Sequence, residues 1–221
     1  MAVLDSVNLG RPQANPYKKG KATGIGKQPV DDAVEVRAPG SKADGVGSGL
    51  IGDFIGDRKH HGGDGQAVYA YAREDLDGWE RELGRELPNG SFGENLTTRG
   101  LNVSGARLGE QWRIGSDVVL QVSTPRIPCA TFRGFLGVPG WLKIFTAAGH
   151  PGAYLRVVQP GSITSGHPIE IIHRPAHQVT IGLAFRALTT EPDLMPHLLE
   201  AGNDLDPDLR SNVESATSGM S

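Results

Sequence analysis

Residues 111 to 123 read QWRIGSDVVLQVS, and this stretch constrains the fold more than any other. Trp112 and Ile114 alternate with polar residues on one arm, Gly115 to Asp117 supply a turn, and Val118, Leu120 and Val122 alternate on the other. Side chains in a strand change face at every residue, so the two arms of this hairpin bury one face together. Shorter strand-like pieces recur at Val3 to Leu9, Ala22 to Gln28, Val34 to Arg37, Ala67 to Tyr71, Ala153 to Val158 and Ile169 to Ile172. With 31 glycines and 15 prolines among 221 residues, the connections are rich in turn formers. The expectation is a mostly β, α+β chain whose antiparallel sheet curls or closes.

Helices interrupt these strands. In REDLDGWERELGREL, Leu76, Trp79, Leu83 and Leu87 recur at spacings of three and four, an apolar stripe with charges opposite. GWLKIFTAAG repeats the pattern with Trp141, Ile144, Phe145 and Ala148 and ends at a glycine. The Gly- and Ser-rich residues 38 to 52 read as a mobile loop. Beyond about residue 173 the strand pattern stops, and VTIGLAFRALTT, DLMPHLLEAG and DPDLRSNVE suggest three short helices with a frayed end at SATSGMS. The expected division is therefore a β domain over residues 1 to 172 and a small helical extension over 173 to 221.

The 22 basic and 25 acidic residues give a net charge of -3, no electrostatic basis for binding a nucleic acid polymer. No apolar run approaches the ~20 residues that span a bilayer. A single cysteine excludes an internal disulfide, and MAVLDSVNLG lacks the features of a secretion signal, so the expectation is a cytoplasmic protein away from membranes. Gly47, Gly49 and Gly52 spell the dinucleotide-binding pattern but lack a strand before and a helix after them. Asn95-Leu96-Thr97 and Asn102-Val103-Ser104 match glycosylation sequons, which carry no meaning without secretion.

Three stretches can carry chemistry. Residues 57 to 71 gather Arg58, Lys59, His60, His61 and Asp64 around glycines just before a strand. Adjacent histidines on extended backbone point to opposite faces, so one of them at most serves a given site. Their spacing is also wrong for a helical zinc site, and no second cysteine is available. Residues 90 to 100 combine tight glycine turns with Glu94, Asn95 and Thr97: a base, an amide and a hydroxyl beside exposed backbone N–H groups. Cys129 follows Pro125, Arg126 and Pro128. A lone cysteine is most often a small buried hydrophobe, but a stiff loop beside a cation also suits a thiolate ligand or nucleophile.

Taken together, KHHGGDGQAVYAY, FGENLTT, RIGSDVVLQVSTPRIPC and GHPGAYLRVVQPGSITSGHPIEI resemble, in order and spacing, the MOSC domain, named for the C-terminal domain of molybdenum cofactor sulfurases. The likeness is to its stand-alone bacterial branch; it covers roughly residues 3 to 172, and the tail is similar to that branch's helical extension. The resemblance implies a closed, barrel-like β fold and a molybdenum cofactor, a pterin dithiolene ending in a phosphate. Cys129 would complete the metal's coordination. Lys27, Arg58, Lys59 and Arg126 are the cations available to the phosphate, with the choice among them open, while His61, Asp64, Glu94, Asn95 and Thr97 would line the pocket. The implied activity is reduction of N-hydroxylated compounds, of the hydroxylaminopurine, hydroxylamine or amidoxime type, to amines, with Cys129, His61 and Glu94 at the centre and either Glu94 or His61 as proton donor. Electrons would come from a separate flavin or iron–sulfur protein, since the chain has no cysteine cluster or flavin fingerprint of its own. The alternative is a sulfur-carrier or cofactor-carrier module using Cys129. In the family that role usually accompanies a pyridoxal-phosphate domain, which this sequence does not contain.

Overall fold

A computed structural model describes residues 1–18 and 22–218. In chain order the elements are β1 (Ala2–Leu9), β2 (Gln13–Ala14), β3 (Ala22–Thr23), β4 (Gln28–Val30), β5 (Val34–Val36), β6 (Val68–Ala72), α1 (Arg73–Leu83), β7 (Leu96–Arg99), β8 (Gln111–Ile114), β9 (Val118–Pro125), α2 (Ala130–Leu136), α3 (Trp141–Ala148), β10 (Ala153–Gln159), β11 (Gly161–Ile163), β12 (Pro168–His173), α4 (Ile181–Thr189) and α5 (Pro207–Ser218), with a kinked 3-10 segment over Pro192–Asp204.

The hairpin forms as its alternation dictates, with Trp112 opposite Leu120 and Ile114 opposite Val118. From it the strands run β12-β8-β9-β10-β6-β7-β1, and Ala2 pairs with Ile169 to close the ring. The result is a closed barrel of mixed rather than purely antiparallel strands, because β6 and β7 run parallel, Ala70 beside Leu96. A parallel pair needs a crossover, and α1 supplies it.

Every residue of β6 is buried. One of its faces lines the barrel interior with Val68 and Ala70; the other carries Tyr69 and Tyr71 into an aromatic layer with Trp79, Phe92, Phe132, Trp141, Phe145 and Phe185. Trp79 meets Trp141 edge-on at 4.8 Å between centroids, and Phe92 meets Phe132 at 5.1 Å. A strand buried on both faces reads as a continuous apolar run, as VYAYA does.

Several expectations are corrected. Ala22 to Gln28 is not one strand: β3 ends at Thr23, and a Cβ on Gly24 would sit 2.1 Å from the Phe54 carbonyl oxygen, so the chain must stay bare there to pass residues 53 to 56. The α1 stripe stops at Leu83 because Gly84 turns left-handed (φ 63°); Leu87 is buried beyond the helix, its N–H donated to Glu80 Oε1 at 2.8 Å. Residues 38 to 52 are stitched into the body of the protein: Ser48 and Leu50 are buried, Leu50 bridges Val36, and Gly49 N–H donates to the Ala67 carbonyl at 2.7 Å. The proline-bracketed loop gives way to α2 immediately after Cys129. The three C-terminal helical pieces form and share the barrel's apolar core through Ile181, Ala184, Leu198 and Val213, while residues 219–221 of the expected frayed end lie outside the described residues. Among the described residues, no helix is long and apolar enough to cross a membrane.

Candidate functional site

One cavity of about 500 Å³ opens beside the barrel. Its walls come from the segments around β3, from residues 53–57 and 60–62, from Tyr69 on β6 and Tyr154 on β10, and from the Arg126–Thr131 stretch that joins β9 to α2. Of the residues singled out from sequence, Cys129, Arg126, His60, His61, Lys27 and Asn95 line it; both adjacent histidines reach one cavity because the backbone there turns instead of running extended.

Cys129 stands at the first, extended position before α2 (φ -119°, ψ 170°), half-buried. Burial works against the thiolate. A hydrogen bond from the His61 side chain, the Arg126 charge and the Phe132 backbone N–H outweigh it, and the thiol pKa comes down to about 6. At neutral pH the sulfur is therefore predominantly an anion.

Arg126 is buried, its Nη1 donating to the Phe92 carbonyl at 2.6 Å and its guanidinium lying 3.7 Å from the centroid of the Phe132 ring. Among the described residues no carboxylate pairs with it. Burial works against the charge, but the neighbouring Tyr69 and Tyr154 hydroxyls and the Cys129 sulfur hold its pKa above the ordinary arginine value. Burial in turn raises both phenols, which remain neutral donors; the Tyr69 hydroxyl is spent on the Pro151 carbonyl at 2.8 Å. Gln66 also lines the cavity, and its buried Oε1 has no hydrogen-bond partner among the described residues.

Lys27 is buried against Asp53, and burial pulls its amine below the usual range although the carboxylate opposes that shift. Asp53 is the hub of this wall. Besides Lys27 it accepts from Gly10 N–H at 2.7 Å, Ser48 Oγ at 2.7 Å and Asn95 Nδ2 at 2.9 Å. Lys27 thus already has its carboxylate, and of the four cations considered it is Arg126 that is buried at the cavity with no carboxylate among the described residues.

The structure does not bring the remaining candidates to the cavity. Glu94 is fully buried and turned into its own loop, accepting from Gly90 N–H at 2.6 Å, Phe92 N–H at 2.9 Å and Thr97 Oγ1 at 2.9 Å. Burial raises its carboxyl pKa against the pull of these donors, but its place is that of a staple for residues 90 to 97. Thr97 completes the staple by accepting from Asn8 at 3.0 Å. Asp64 accepts from Gly40 N–H at 2.9 Å and anchors the 38 to 52 segment. Arg58 and Lys59 are exposed outside the cavity.

Sequence reasoning missed Asp53, Gln66, Tyr69 and Tyr154. The tyrosines carried a faint signal as polar-tipped aromatics in otherwise apolar strands. Asp53 and Gln66 carried none. Among the described residues no three His, Cys, Asp or Glu side chains gather to hold a bare metal ion. Any metal here would have to arrive with ligands of its own and add one thiolate from the protein.

The MOSC domain profile matches residues 57–170. The chain is 34% identical over 182 residues to the uncharacterized protein YflK of Bacillus subtilis strain 168, covering 82% of this chain and 78% of that one. It is 32% identical over 131 residues to a protein named reductase from Gibberella moniliformis, a match covering 58% of this chain and 23% of that protein. The crystal structure of YiiM from Geobacillus stearothermophilus superposes with a TM-score of 0.78 at 26% identity, covering 98% of this chain and 99% of that one. The matched region holds Cys129, Arg126, His61 and the loops that carry them, and the chain belongs to the MOSC domain family.

Proposed function

We propose that this cavity holds a molybdenum–pterin cofactor and that the protein reduces N-hydroxylated compounds to amines. The observation that carries the reading is the meeting, in one cavity, of a thiol with a pKa of about 6 and a buried guanidinium that has no carboxylate partner. Both are suited to an anionic group carrying a sulfur-bound metal: a soft thiolate ligand, and a cation that, among the described residues, has no carboxylate of its own. When bound, the cofactor would supply a metal centre that exchanges two electrons and accepts oxygen.

The chain's own residues have definable parts in this chemistry. Cys129 ligates. Arg126, its plane fixed against Phe132, balances negative charge without rotamer freedom to lose. Gln66 Oε1 offers an acceptor to a heterocycle N–H, and the neutral Tyr154 hydroxyl offers a donor. His61, which lines the cavity and favours the thiolate, would give a proton to an oxygen leaving nitrogen. Glu94, turned away, orders the loop instead. The name of the fungal relative is in keeping with reduction.

Protein expressed in a host that makes the cofactor is expected to carry about one molybdenum per chain. Supplied with chemically reduced methyl viologen, it should convert an amidoxime to its amidine. Cys129→Ala should lose both metal and turnover. Sulfane sulfur on Cys129 without turnover by molybdenum-loaded protein would replace this reading with that of a sulfur carrier.

A further inference from the structure

We infer that the rim of the cavity is the docking face for an acidic electron-carrier protein, a flavodoxin or ferredoxin type. The inference rests on the reductase reading above and names the partner that reading requires. Conversion of R–NHOH to R–NH2 and water consumes two protons and two electrons. Two reduced carriers, each oxidised by one electron, supply the latter. The chain's single thiol cannot supply them, and Cys129 is reached from outside through this mouth.

The rim has the surface such a visitor needs. Tyr17, Ile127 and Phe135 are exposed to 43%, 44% and 36%; Ile127 lines the opening, Tyr17 lies between its lining residues Asn15 and Lys18, and Phe135 packs against Gly26 between Ile25 and Lys27. Next to them lie Arg58, Lys59 and Arg133, exposed and, among the described residues, with no carboxylate within ion-pair distance. These groups belong to one face. Position 134 on α2 presses on the Tyr17 ring, a Cβ there falling 2.2 Å from Tyr17 Cδ1, while the next residue, Lys18, reaches Asp57 at 2.6 Å. The side chains of two consecutive residues therefore bridge α2 and the loop that carries Arg58 and Lys59. Asp57 is engaged by Lys18 and His60, so it does not offset the unpaired cations.

The chain as a whole carries a net charge of -3, and this positive rim stands against that background. The overall negative charge opposes nonspecific attraction to an acidic protein, and the exposed cations of the rim favour an encounter there. An apolar centre with cations around it, small in area, suits a transient encounter that must release its partner after each electron.

The test uses binding and turnover together. Titration of the protein with an acidic flavodoxin and with an acidic [2Fe–2S] ferredoxin, followed calorimetrically, is expected to give micromolar affinity for at least one of them, weakening several-fold as salt rises and the Debye length shrinks from about 14 to about 6 Å. The double variant Arg133→Glu/Phe135→Ser should weaken binding at least about tenfold. It should raise the carrier concentration needed for half-maximal turnover and leave viologen-driven turnover unchanged. Failure of both carriers to bind, or binding indifferent to the double variant and to salt, overturns the docking face. So does a dimer in sedimentation that the double variant dissociates, because a second copy would then cover the rim. Absent viologen-driven turnover by molybdenum-loaded protein sinks the reductase reading instead, whatever the carriers do.

Discussion

The reactivity of the site is set by the neighbours of one sulfur. Burial alone would keep Cys129 protonated, and the pKa of about 6 exists because His61 and Arg126 oppose it. His61→Ala is therefore expected to move the thiol upward, toward the ordinary ~8.5, and to slow its alkylation at pH 7. The midpoint of the iodoacetamide rate against pH measures this; a midpoint unchanged in the variant would show that Arg126 and the backbone suffice. The sign for stability follows from the same depression. Because the folded pKa lies below the unfolded one, the thiolate's contribution is fully present above about pH 8.5, declines between there and 6, and is absent below. The bracket of Pro125 and Pro128 with Arg126 between them made Cys129 legible in the sequence as a candidate anion. Glu94 was misread for an equally physical reason. A carboxylate between glycines is as useful for capping three donors of its own loop as for handling protons, and only the fold decides which.

At the scale of elements, the cavity wall depends on segments with almost no regular structure, held by side chains instead. Asp53 accepts from four groups on four separate stretches, and it is the counter-ion that lets Lys27 be buried. Asp53→Asn removes that charge and leaves a cation in a dry wall, an arrangement that costs roughly 3 kcal/mol or more. For a chain of this length the expected fall in melting temperature is about 6–12 °C. Lys27→Met in the same background should recover part of it, because the stranded charge is then gone; thermal unfolding of the two variants checks both statements. No periodicity marks such a hub, which is why Asp53 in GDFIGD went unremarked while the hairpin at Gln111–Pro125 was plain. β7 escaped for a related reason. It is four residues long, and its parallel partner β6 is reached only through α1, so nothing local specifies the pairing.

The whole molecule is closed by contacts between distant parts of the chain, and sequence patterns report those least. Ala2 and Val3 pair with Ile169 and Pro168, so the ring is complete only when the beginning of β1 meets β12. Alternation predicted a sheet that curls or closes; only the family resemblance singled out closure. The helices after β12 also join this body physically. Phe185 on α4 is fully buried and meets Phe145 of α3 edge-on at 6.2 Å, while Asp206 pairs with Arg156 of β10 at 3.0 Å. Removing a buried phenylalanine costs about 3–5 kcal/mol, most of it through the cavity left behind. If the helices fold as one unit with the barrel, Phe185→Ala lowers a single calorimetric transition, with its van't Hoff and calorimetric enthalpies still equal. If they form a separately stable extension, the variant instead splits the transition, and near-ultraviolet signals from the Trp79–Trp141 pair persist after the helical signal has begun to fall. The shared core that contains both Trp112 and Leu198 argues for the first outcome, because apolar surface continuous across two segments cannot be exposed on one without being exposed on the other.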